Sequence, residues 1–236
     1  MAKAGRYVVR FDHRDTGAST LGVSGQADYI VEDLANDVIA VLNEHGLDRA
    51  HLVGMSLGAF IAQLLALREP NRVRSLTLIA TEPLGGDPVD AAGLNPVLLA
   101  HFATLSDVDW ADPSSAHAFL QRIAVLSASN ARGYDQKNAD ERIEREIERT
   151  LDFRAAFNHM TVGGDLDRWN LRNINVPTLV IHGAHDSIIP PANGEAIARQ
   201  IHGAKLHVLE DAGHELHGDD LGIIAKLIVS HTDDAT

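Results

Sequence analysis

Apolar residues follow two different periods along this chain. Tyr7–Phe11, His51–Met55, Ser75–Ala80, Pro177–Gly183 and Lys205–Leu209 are short runs rich in β-branched and aliphatic residues, and they read as strands. Between them the period lengthens. Val31, Leu34, Val38, Val41 and Leu42 fall on one face of a helix from about Tyr29 to His45, with Asp28 as its cap and Gly46 as its stop. An amphipathic helix is expected over Leu57–Arg68, ended by Pro70, and further helices over Asn193–Ile201 and Asp220–His231. Nearly continuous apolar strands alternating with helices predict a doubly wound, mostly parallel α/β sheet covered on both faces.

From Glu82 to Asn175 the strand period is absent. Pro83–Pro88 reads as a loop, followed by helical stretches near Leu94–Leu105, Pro113–Ala128 and Asn138–His159. The last carries Ile143, Ile147 and Leu151 at i, i+4 spacing among dense charge, the pattern of a solvated helix with one apolar stripe. The expected organisation is a core in two parts, residues 1–82 and 174–236, interrupted by a helical cap over 83–173.

Composition narrows the classes. The 236 residues are 45% hydrophobic and 22% charged, so the chain can bury a sizeable core. The net charge of −13, with a pI near 5.3, argues against a phosphate-tracking nucleic-acid surface and against anionic membranes. There are no cysteines, which excludes disulfides, thiolate metal sites and a cysteine nucleophile. No apolar segment ahead of Tyr7 has the form of a signal peptide, and no apolar run is long enough to span a membrane, so a cytoplasmic location is the expectation.

The strongest chemical signal is Gly54-Met55-Ser56-Leu57-Gly58, set between an apolar strand and a helix. G-x-S-x-G in that context is a nucleophile elbow, where a sharp turn exposes the serine and small flanking residues let the two limbs pass closely. A serine hydroxyl needs a base to take its proton, and the base needs an orienting group. Histidine suits the first role near neutral pH and a buried carboxylate the second. Ligand sites in doubly wound sheets lie at the C-terminal ends of strands. Ser56, Asp186 and His214 all stand at such ends, in the chain order Ser…Asp…His. Glu82, just after the third strand, is the rival acid. Met55 either lines the pocket or fills the core. His182, His185 and His217 with Asp186 invite a metal reading, but no H-E-x-x-H spacing supports it and no metal is expected. His13-Arg14-Asp15 echoes a kinase catalytic loop, yet Thr20 stands at the position of its asparagine and no glycine-rich phosphate loop precedes it. Arg14 and Asp15 are expected to brace their loop through ion pairs.

Four stretches together resemble the α/β-hydrolase superfamily: Asp12-His13-Arg14-Asp15-Thr16-Gly17-Ala18-Ser19, the elbow, Val176–Gly183 through Asp186, and Ala212-Gly213-His214. The run Arg10–Thr20 looks most like the aclacinomycin methylesterase-like branch, whose members hydrolyse methyl esters of aromatic polyketides. The resemblance implies Ser56 as nucleophile, His214 as general base and then acid, Asp186 as orienting acid, and the Leu57 backbone N–H as an oxyanion donor, with no cofactor. It covers the chain from about residue 6 onward and is weakest in the cap. Family members place an earlier hairpin, a central strand and a His-Gly-type oxyanion loop ahead of the strand matched by Tyr7–Phe11. The expectation is therefore an N-terminally shortened form in which Tyr7–Phe11 and His51–Met55 pair directly, leave exposed edges, or recruit another chain, which predicts homo-oligomerisation.

Three readings of function follow. The first is a serine hydrolase that cleaves a small-molecule carboxylic ester, a methyl ester in the finer version, through an acyl-enzyme. The second is a catalytically impaired hydrolase-like binding or interaction domain. The third is lactone hydrolysis or perhydrolysis on the same triad.

Overall fold

The computed structural model describes residues 1–85, 95–166, 168–215 and 217–235. Among them, four strands form one parallel sheet in the order β1 (Ala50–Met55), β2 (Val73–Ile79), β3 (Thr178–Gly183) and β4 (Lys205–Leu209). Leu52 pairs with Leu76, Leu78 with Val180, and Val180 with Leu206, so all four C-terminal ends lie along one edge.

Side-chain alternation divides the core between the two faces of the sheet. Leu76, Leu78 and Val180 point to one face, where they meet α1 (Val31–Glu44), α2 (Leu57–Arg68) and α7 (Ala192–Gln200). Ile79, Leu179 and Ile181 point to the other, against Ile224 and Ile228 of α8 (Gly218–Asp234). This is the α/β architecture expected, with every strand of the sheet parallel.

Helix α2 departs from its expected amphipathic form. Ala59 and Ile61 through Ala66 are all buried, because the helix lies between the sheet and α1. The polar member of that run, Gln63, is satisfied. Its amide donates to Glu82 O (3.0 Å), and its carbonyl accepts the Leu84 N–H (3.0 Å), tying the segment after β2 to the helix.

The expected first strand is not formed. Tyr7–Phe11 is irregular, with Tyr7, Val8 and Phe11 exposed. A strand exists only through a partner's backbone, and among the described residues no strand lies beside this segment. Tyr7–Phe11 and β1 therefore do not pair directly. Strand β1 is an edge of the sheet and its Val53 is exposed.

Between β2 and β3 the described residues are helical: α3 (Pro96–Phe102), α4 (Pro113–Ser127), α5 (Gln136–Arg149) and α6 (Phe153–Ala156). Residues 86–88 of the expected loop, and Leu94 at the expected start of the next helix, lie outside the described residues. The single helix expected over Asn138–His159 is broken, because the Leu151 N–H turns away to Gly17 O (3.2 Å) and Asp152 caps a new helix by accepting the Arg154 N–H (2.9 Å). Aromatic rings hold this layer together, with Trp110 stacked on Phe153 at 5.8 Å and edge-on to Phe119 at 5.5 Å.

A buried cluster fastens the loop after Tyr7–Phe11 to the helical layer. The Asp15 carboxylate accepts from the Tyr29 hydroxyl (2.7 Å), Asn158 Nδ2 (2.8 Å) and the Gly22 N–H (2.5 Å). Arg14 braces the loop as expected, through two bonds to Asp37 (2.7 and 2.6 Å). Asp15 does so through hydrogen bonds, where an ion pair was expected.

Candidate active site

The site begins where β1 runs into α2. Ser56 has φ 50° and ψ −120°, a conformation that costs a non-glycine residue roughly 1–3 kcal/mol and persists only when its surroundings enforce it. They do so from both sides. The Ser56 N–H donates to Ile79 O (2.9 Å), and Thr81 Oγ1 donates to Ser56 O (3.0 Å), so the end of β2 holds the turn. The two glycines of the elbow are not equivalent. A Cβ on Gly54 would lie 2.3 Å from the Gly58 carbonyl carbon, whereas one on Gly58 would face open space. Only Gly54 is needed for the close approach of the two limbs. Leu57 and Gly58 open α2, and their N–H groups have no acceptor within the helix.

Asp186 follows β3, and its side chain is fully buried. Oδ1 accepts the Ile188 and Ile189 N–H groups (2.9 and 2.8 Å), and Oδ2 lies 2.8 Å from His214 Nδ1 and 3.4 Å from His182 Nε2. Burial alone would raise the pKa of this carboxyl. The hydrogen bonds from His182, His214 and the Ile189 N–H outweigh burial and hold it well below the usual carboxylate range. Asp186 is thus an anion, so the proton of the His214 bond sits on Nδ1. In the neutral form of the ring the lone pair is then on Nε2, and the ring lines a cavity of about 530 Å³.

The cavity lies between the strand ends and the helical layer. Met55 lines it and also packs against the sheet's α8-side core, so the two roles weighed for it coexist. Leu120, Phe153 and Phe157 make part of its wall apolar, and Tyr134, Arg142 and Glu146 make another part polar. Among the described residues no hydrogen bond joins Ser56 Oγ to His214. Asp186 and His214 are brought together, while Ser56 is present in its elbow next to Met55.

The rival acid Glu82 accepts no hydrogen bond from a histidine among the described residues. Its side chain is exposed, and its carbonyl serves Gln63. Of the residues weighed as metal ligands, His185 is exposed and His217 caps α8 by accepting the Asp219 N–H (3.2 Å). Among the described residues no three of His, Cys, Asp or Glu cluster as ligands.

Sequence reasoning missed the part His182 plays. Its Nε2–H donates to Ile189 O (2.9 Å) and faces Asp186, so it braces the acid from behind. The clue available was its i, i+4 spacing to Asp186 across a strand end.

A family model described as the alpha/beta hydrolase fold matches residues 1–221. The chain belongs to the α/β-hydrolase family. Rhodomycin D methylesterase DauP of Streptomyces sp. (strain C5) is 31% identical over 261 residues, covering 100% of this chain and 84% of that protein. A pimeloyl-[acyl-carrier protein] methyl ester esterase of Aeromonas hydrophila is 31% identical over 218 residues, with 90% and 80% covered. The enol-lactonase of Burkholderia xenovorans LB400 superposes with a TM-score of 0.73 at 23% identity, covering 94% of this chain and 79% of that one. This structural likeness concerns the fold alone. The methylesterase-like branch suggested by residues 10–20 agrees with the similarity to rhodomycin D methylesterase.

Proposed function

We propose that this α/β hydrolase cleaves carboxylic esters of small molecules with Ser56 as nucleophile, His214 as base and acid, and Asp186 as orienting acid. One observation carries the reading. A buried carboxylate 2.8 Å from His214 Nδ1 orients a ring that lines a cavity, and Met55, next to Ser56 in the strained elbow, lines the same cavity.

In this mechanism His214 Nε2 takes the Ser56 proton as Oγ attacks the ester carbonyl carbon. Negative charge gathers on the carbonyl oxygen, and the Leu57 N–H, at the positive end of α2, stabilises it. His214 returns its proton to the departing alcohol, leaving Ser56 acylated. Water, deprotonated by the same nitrogen, then releases the acid and restores Ser56. The helices within residues 83–173 act as the cap, and their aromatic wall favours an apolar acyl or alkoxy group. The methylesterase names of two relatives support a methyl ester as the finer assignment.

The competing reading is a hydrolase-like binding domain, favoured by the absence of a Ser56–His214 bond here. Catalytic hydrogen bonds are often long in unliganded enzymes and tighten with substrate. Steady-state hydrolysis of p-nitrophenyl acetate separates the two readings. Ser56→Ala is expected to lower kcat by at least about 10³-fold. Equal rates for wild type and variant would favour the binding domain.

A further inference from the structure

Helix α4 ends against the two loops that carry Asp186 and His214. The His214 N–H donates to Ser127 O (2.9 Å), Ser187 Oγ donates to Leu126 O (3.0 Å), and the Ser129 N–H donates to Glu215 Oε1 (3.2 Å). Gly213 makes this approach feasible, since a Cβ there would lie 2.5 Å from Ser127 O and 2.8 Å from Ser129 N. Five residues beyond the end of α4, Arg132 bridges both ends of the His214 loop. Its Nε–H donates to Asp211 O (2.9 Å), and its two terminal nitrogens donate to the Asp220 carboxylate (2.8 and 3.0 Å) in the first turn of α8. The side chains are 16% and 7% exposed, so the pair is largely shielded from water.

We propose that Arg132 is a positioning residue for His214, acting through Asp220 and the Asp211 carbonyl, and that it makes the position of the base depend on the helices walling the cavity. The sheet side holds the start of the loop, through Ala212 N to Leu209 O (3.2 Å) and His185 N to Ala212 O (2.9 Å), and the His214 ring, through Asp186 (2.8 Å). Among the described residues, the backbone from His214 onward is tethered by the α4 end and by Arg132. Helices α4 and α5 supply Leu120, Ile123 and Ile143 to the cavity wall, and the short stretch between them carries Arg132. A ligand that displaces these helices therefore displaces the anchor of His214. The planar guanidinium makes two parallel bonds to Asp220, which fixes orientation as well as distance. A lysine ammonium would keep the charge and lose that fork.

The inference rests on the proposed triad, so its test includes a readout that does not need turnover. That readout is the downfield proton resonance of His214 Nδ1 in its bond to Asp186. In Arg132→Met the resonance is expected to move or broaden. The kcat for p-nitrophenyl acetate is expected to fall about 10- to 100-fold, the scale of a small misplacement of a catalytic group, with KM within about twofold. Arg132→Lys should recover part of the loss. A folded Arg132→Met with wild-type kcat and an unmoved resonance would overturn the proposal. If that variant does not fold, Asp220→Asn serves instead, with the same direction expected and the same pair of unchanged readouts counting against it. Should the wild type show no Ser56-dependent turnover, the triad reading fails, and the resonance alone still decides whether Arg132 positions His214.

Discussion

At the scale of single residues, the proposed site depends on one buried carboxylate held ionised. Asp186 has no exposed side-chain area, and its charge survives only because it accepts bonds from His214, His182 and two backbone N–H groups. Asp186→Asn keeps the shape and reverses the logic, since an amide can donate to Nδ1 and leave the proton on Nε2. We expect kcat for p-nitrophenyl acetate to fall by roughly 10⁴-fold with the fold retained, as judged by circular dichroism. A loss below about tenfold would remove Asp186 from the mechanism. The Ser56 elbow and the Asp186–His214 contact were legible in the sequence because each residue stands in a short loop directly after an apolar run, and chain order reduced the choice of partners. His182 was missed, because its i, i+4 spacing to Asp186 is a faint signal for a histidine inside a buried strand. Glu82 and Asp186 both follow strands, and only the positions of their side chains separate them.

At the scale of elements, local pattern succeeded where a neighbouring element is present to complete the pairing, even where that partner lies far along the chain, as for β2 and β3. Strands β2 to β4 and helices α1, α2, α7 and α8 lie close to where the apolar periods place them. The pattern misled at Tyr7–Phe11, where β-branched composition describes a strand but pairing has to be supplied by a neighbour. It also misled over Asn138–His159, where a distant backbone bond at Gly17 breaks the helix. The Asp15 cluster belongs to this scale, because it joins the loop over residues 12–25 to Asn158 far along the chain. Asp15→Ala would leave the Tyr29 hydroxyl, Asn158 Nδ2 and the Gly22 N–H without their acceptor. We expect a loss of about 3 kcal/mol, seen as a lower urea midpoint. An unchanged midpoint would show that water replaces the carboxylate without cost.

At the scale of the whole molecule, the layered architecture gathers strand ends and a helical layer around a cavity, and it also buries or half-buries histidines that do not line it. His231 donates to Leu76 O (2.9 Å) beneath the sheet, and His159 donates to Arg14 O (2.9 Å) beside the His13 ring. Burial lowers the pKa of all three, and the neighbouring His159 lowers that of His13 further. Each folded-state pKa lies below its unfolded value, near 6.5 for histidine. The unfolded chain therefore binds more protons as pH falls through that value. The stability these residues contribute is complete above it and declines on acidification. Thermal unfolding should show a lower midpoint at pH 5 than at pH 7, and a flat profile across that range would contradict the assignment. The central claim concerns chemistry rather than stability, and reaction with a fluorophosphonate tests it most directly. Peptide mass mapping of the treated wild-type protein is expected to place a single adduct on Ser56, absent from Ser56→Ala and slowed in Asp186→Asn. Folded protein that takes up no adduct, or carries it on another residue, would contradict the account.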